Sequence, residues 1–248
     1  MKAALFACAG ILLDRFSSVD EHELYGRGHQ LPLIGVLFAA GGLALAGLPP
    51  FGTGLGKAVS EEAAGWWPTV AFVAASALTG GAVLRASARI FRGWGPRPST
   101  DPETTPGTDE EPETRGPLRR IPDTMLAVPV ALMAGALAVG VVPWLWPAVG
   151  RAADVFTDHA GYTAAVLGTT EAAPPPVTPA PHWTGIGVTL GLVSAALAVA
   201  LAWTATRRPA TDEPSRWAAP LHRLQSGHLG DYVAFTLAGM ALLTVLLW

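Results

Sequence analysis

Hydrophobic positions in this chain fall in long blocks, with neither the every-third-or-fourth rhythm of a soluble helix nor the alternation of a half-buried strand. The first block, residues 3–13, is too short to cross a bilayer and meets Asp14 and Arg15 at its end. A leading Met-Lys before an apolar stretch is compatible with a signal peptide, but charges stand where a small-residue cleavage site belongs. The better expectation is a spanning helix whose beginning is missing. A second block opens near Leu31 as LPLIGVLFAAGGLALAGL and is then interrupted by Pro49, Pro50, Gly52, Gly54 and Gly56. Proline removes a backbone donor and glycine relaxes the chain, so the pattern predicts a helix that breaks here and resumes near Lys57. A break at membrane depth is tolerated only where protein or water satisfies the freed backbone groups, so it should face a protein interior. Trp66 and Trp67 then read as an interfacial aromatic belt.

Further blocks cover residues 69–90, 125–146, 183–206 and 232–248. Arg85, Arg89 and Arg92 close the first of these and are expected to snorkel toward the interface. Residues 149–167 have scattered apolar anchors, Val155, Tyr162 and Val166, and read as a helix lying in the membrane surface. The fold class that follows is all-α: a polytopic membrane protein of about six transmembrane helices, one of them broken. Three regions result: a transmembrane core over 1–94, a polar loop over 95–121, and C-terminal helices over 122–248. The loop, rich in Pro, Thr and Glu, has almost nothing to bury and is expected to be disordered.

Composition agrees with the blocks. Half of the residues are hydrophobic, only 14% are charged, and mean hydropathy is +0.37. A net charge of -3 gives no footprint for a nucleic acid. A single cysteine, Cys8, rules out a disulfide framework or thiolate metal site built from this chain alone. The six histidines show no metal-ligand spacing, and no phosphate loop, nucleophile elbow or flavin fingerprint is present, so no cofactor, metal or catalytic site is assigned. If the blocks alternate sides, nearly all arginines outside the spans fall on one face. That places the Arg-rich loops in the cytoplasm and the C-terminus outside.

Lys57 carries the most chemical weight. An ammonium near the bilayer midplane is costly unless solvated, paired or deprotonated, and buried lysines change protonation readily. Glu61 lies one helical turn on and can share its face. Two interpretations stand side by side: a proton-binding lysine at a helix break, or one that snorkels outward with Glu61 and Glu62 already in water. Lys2 on its own evidence reads as a solvated terminus. The acidic residues among Asp20, Glu21, His22 and Glu23 read as a solvated loop.

The order of segments resembles the later part of the proton-conducting transporter family. Its members include antiporter-like subunits of NADH-quinone oxidoreductase, Mrp sodium/proton antiporter subunits and membrane subunits of energy-converting hydrogenases. There, a helix with an H-x-x-x-K-A-x-L-F pattern precedes a broken helix with P-P-F-x-G-F-x-x-K or a close variant. KAALF at Lys2 to Phe6 matches the second half of the first pattern. PPFGTGLGK at Pro49 to Lys57 matches the second, with Leu55 in place of the usual aromatic. More loosely, the similarity extends to the span ending in Arg89 and to LQSGHLGDYV. The resemblance implies that Lys57 is the terminal protonatable lysine of a half-channel opening outward. Lys2 would belong to a central hydrophilic axis, and the Pro49 to Gly56 stretch would hold water around the proton path. It also implies partners, namely other membrane subunits of a respiratory or antiporter complex, which would carry the redox cofactors. Family members are about twice as long, with an earlier half absent here, so the chain is expected to be N-terminally truncated.

Overall fold

The computed structural model describes residues 1–63, 65–97, 120–168, 180–207 and 229–247. Of these residues 81% are helical, and none forms a strand. The helices are α1 (Lys2–Phe16), α2 (Pro32–Leu45), α3 (Gly52–Ala63), α4 (Trp66–Arg92) and α5 (Asp123–Val141). After them come α6 (Trp146–Thr157), α7 (His159–Leu167), α8 (Gly185–Arg207) and α9 (Leu229–Leu247).

Local chemistry sets most of the boundaries. Proline at the first position of α2 is preorganised for a helix start. Gly93 ends α4 in the left-handed conformation, donating its N–H back to the last turn. Among the described residues three helices, α4, α5 and α8, are long and apolar enough to cross a membrane. With 15 and 14 residues, α1 and α2 are only about 20 Å long, short of a hydrocarbon core about 30 Å thick. The exterior is apolar: Trp66, Trp144 and Ile186 are each at least 74% exposed. Exposed apolar side chains of this kind belong in lipid or against a partner, so with its long apolar helices the chain is membrane-associated and, among the described residues, all-helical.

Packing places the broken unit centrally. One face of α1 buries Ala4, Cys8, Ile11 and Leu12, at helical spacing, in a core shared with Ile34 and Leu37 of α2, Ile90 and Phe91 of α4 and Met133 of α5. A second cluster joins Ala46 to Ala195 and Ala198 of α8. In turn α3 packs on α8 and α5, while α4 lies chiefly along α8 and α2. The break therefore faces protein on both sides. A Cβ on Gly140 of α5 would overlap the Pro50 carbonyl, and one on Gly191 of α8 would lie 2.6 Å from the Gly47 oxygen.

Several sequence expectations are corrected. The interruption occupies residues 46–51, which include a cis Pro49–Pro50 peptide, and α3 starts at Gly52, five residues before Lys57. Gly52, Gly54 and Gly56 are thus helical. The reason at Gly54 is space: a Cβ there would sit 2.7 Å from the Gly47 oxygen. Trp66 and Trp67 open α4 and do not end the preceding helix. Residues 149–167 form two helices, because Asp158 caps a new one by accepting the Gly161 N–H at 2.8 Å. Arg89 does not snorkel. It is 2% exposed and pairs with Glu21 through its Nε, while Arg85 reaches the same carboxylate at 3.1 Å. The acidic loop is therefore not simply solvated. Of the polar loop, residues 98–119 lie outside the described residues. So does the linker after α8, residues 208–228, which takes in the first half of LQSGHLGDYV.

Candidate functional site

The site is built where α2 stops and α3 begins. A helix that ends leaves carbonyls without intrahelical partners, and here side chains of α3 return to meet them. The Thr53 hydroxyl donates to the Ala44 carbonyl at 2.7 Å, and Lys57 Nζ donates to the Ala46 carbonyl at 3.4 Å. The remaining turn is closed by backbone bonds, Gly47 N–H to Ala44 O at 3.1 Å and Leu48 N–H to Leu43 O at 3.1 Å. The lysine stem lies against Gly47, whose φ of +92° is one that side-chain-bearing residues rarely adopt. A Cβ at Gly47 would come 2.8 Å from Lys57 Cδ. This glycine has two reasons to be glycine.

One turn further along α3, Glu61 faces the lysine. The Lys57 Nζ to Glu61 Oε1 distance is 3.6 Å, with side-chain exposures of 9% and 1%. Spacing of four residues on a helix predicts this contact, and neither residue reaches open water. The pair sits on the stripe Gly54, Leu55, Ala58 and Glu61 that α3 buries. Both carboxylate oxygens of Glu61 are buried and accept no hydrogen bond among the described residues. Beside them lies a cavity of about 220 Å³, lined by Ala58, Glu61, Glu62, Thr184, Gly187 and Leu190. Gly187 lets α8 come close to α3 at its edge, since a Cβ there would overlap Ala58. Buried polar groups are normally hydrogen-bonded, so the under-satisfied Glu61 carboxylate has both the room and the lone pairs to take a water or a cation from this cavity.

Lys2 lies elsewhere. It is the first residue of α1 and is exposed, and no hydrogen bond or ion pair joins it to Lys57 or Glu61 among the described residues. Among those residues no group of three or more His, Cys, Asp or Glu stands close enough together to hold a metal ion.

Sequence reasoning missed the supports of this site. Gly47 was legible as a glycine just ahead of Leu-Pro-Pro, a common setting for positive φ. Gly187 and Gly191 carry no local signal, because their smallness answers to α3 and the break across the bundle. The same holds for Trp146 and Trp183, whose indole N–H groups donate to the Val139 and Gly140 carbonyls at 3.0 and 2.8 Å and close the end of α5. Comparison with known proteins finds no matching family model, curated protein or solved structure.

Proposed function

We propose that this chain is a proton- or cation/proton-translocating membrane subunit, with Lys57 and Glu61 as the exchanging pair at a broken helix. The observation that carries it is the buried Lys57–Glu61 contact at 3.6 Å, beside a helix interruption enclosed by α5 and α8. Broken helices at membrane depth supply free carbonyls and room for water around ions. Ionisable residues within spans are costly and mark ion or proton paths. The cavity of about 220 Å³ at Glu61 has room for several waters, each taking about 30 Å³. A proton on Lys57 would pass to Glu61 and then to water in that cavity, returning as neighbouring charges change.

In this proposal α2 and α3 act together as one broken span. With α1, α4, α5, α8 and α9 they make about six, the Arg-rich loops being cytoplasmic and the C-terminus outside. Lys2 would serve a hydrophilic axis continued by another chain. The similarity of KAALF and PPFGTGLGK to the proton-conducting transporter family supports a place in an NADH-quinone oxidoreductase-like or Mrp-type complex, or in an energy-converting hydrogenase.

The test is ion movement in proteoliposomes holding the native complex. Lys57→Ala should abolish proton or sodium flux while assembly, followed by native gel mobility, is unchanged. Flux that survives Lys57→Ala would show the chain to be a non-transporting scaffold subunit.

A further inference from the structure

Between α2 and α4 runs a groove of about 530 Å³. Its length is apolar, walled by Gly35, Val36 and Ala39 of α2 and by Leu84, Ala88 and Phe91 of α4. Two glycines shape it: a Cβ on Gly28 would lie 2.7 Å, and one on Gly35 3.0 Å, from the Phe91 ring, which forms the floor. One end is polar and carries a cation, with Arg92, His29 and Trp94. His29 is fixed there by its Nδ1, 2.7 Å from the Gly26 carbonyl.

The charges around this end are sorted. Arg85 and Arg89 both pair with Glu21, and among the described residues Arg92 makes no ion pair. Two of the α4 carbonyls near this end already accept hydrogen bonds. Ala88 O accepts from Trp94 N–H at 3.2 Å, and Arg89 O accepts from Gly93 and Gly26 N–H at 3.0 and 2.9 Å. Among the described residues Arg92 is thus a cation with no acidic partner, at the mouth of an apolar trench and next to an exposed tryptophan of the kind that sits at headgroup level.

We infer that this groove binds one anionic phospholipid, its phosphate at Arg92 and His29 and an acyl chain along Gly35, Ala39, Leu84 and Ala88. Apolar length and cationic mouth match the two halves of such a lipid, as basic pockets between membrane helices do for acidic headgroups. A zwitterionic lipid would fill the trench equally well but gain less at Arg92. A partner's membrane helix would fill the trench with no use for the cation.

Native mass spectrometry of the full chain in detergent, titrated with dioleoylphosphatidylglycerol and dioleoylphosphatidylcholine, decides between them. The wild type should retain a single phosphatidylglycerol in preference to phosphatidylcholine. Arg92→Gln should cut that preference by about five-fold, one surface cation's share, and Arg92→Lys should keep most of it. Arg151→Gln on α6, outside the groove, should leave it unchanged. Ala39→Phe, which fills the trench, should reduce retention of both lipids. Equal retention of the two lipids by the wild type, or an Arg92→Gln protein as selective as the wild type, would overturn the inference. So would a groove that excludes both lipids yet becomes shielded from a membrane-soluble label when other subunits are present, which would assign it to a partner helix.

Discussion

Replacing Glu61 by Gln removes the countercharge of Lys57 while keeping the side chain's shape. The two groups are 3.6 Å apart and 9% and 1% exposed. At an effective dielectric of about 20 their attraction is about 5 kcal/mol, and breaking a buried pair from one side costs about 3–5 kcal/mol. Lys57 keeps its bond to the Ala46 carbonyl at 3.4 Å, so the loss should fall at the lower end, about 3 kcal/mol. Removing both charges, with Lys57→Met and Glu61→Gln together, strands neither. The double variant should then lose less than the sum of the single losses by about 2 kcal/mol. The assay is equilibrium unfolding in mixed micelles, read by maleimide modification of Cys8. This residue is the only cysteine and is 0% exposed, so it reacts when the α1 core opens. Additive single and double losses would refute the idea that these charges act as a unit, and the exchange site would lose its physical basis.

The other outcomes test the surroundings. Gly47→Ala should cost about 1–3 kcal/mol of stability from the positive φ alone and should also displace Lys57. By contrast Gly10→Ala, whose Cβ would meet nothing within 4 Å, should be neutral or stabilising in the same unfolding assay. Glu21→Gln leaves Arg89 buried without its partner and should cost about 3 kcal/mol or more. Arg85→Gln removes a 38% exposed partner and should cost under about 1 kcal/mol in the same titration. Gly187→Leu should overpack α3 against α8, losing about 1–3 kcal/mol and lowering ion flux by reshaping the cavity at Glu61.

Features encoded within a few residues were the legible ones. The apolar blocks gave α4, α5 and α8, because mean hydropathy over a bilayer's length needs no knowledge of neighbours. The Lys57–Glu61 contact followed from i, i+4 spacing. Gly52 and Gly54 misled because a glycine required by crowding looks, in sequence, the same as one required by φ, and Gly56 is a helical glycine with open space beside it. Only the Gly47 oxygen, brought against Gly54 by the fold, tells them apart. The Asp158 cap was readable as an Asp before a helix, but a weak apolar stripe on both sides concealed it. Glu21 and Arg89 are separated by most of the first four helices, so no local window links them. Arginines at the end of an apolar block look alike whether they meet solvent or a buried carboxylate.

The seat of α8 has a mechanical consequence. Its buried residues are Gly187, Gly191, Ser194, Ala195, Ala198, Ala202 and Thr206, small side chains along nearly its whole length. Such a face works like a row of notches: Ala58 seats at Gly187 and the Gly47 carbonyl at Gly191, so the helix is held close and in one axial register. Ser194, whose hydroxyl donates to the Val73 carbonyl at 3.4 Å, is a long and therefore weak detent. Because Gly187 and Thr184 at one end of that row also line the cavity at Glu61, the register that locks the helix also sets the wall of that cavity.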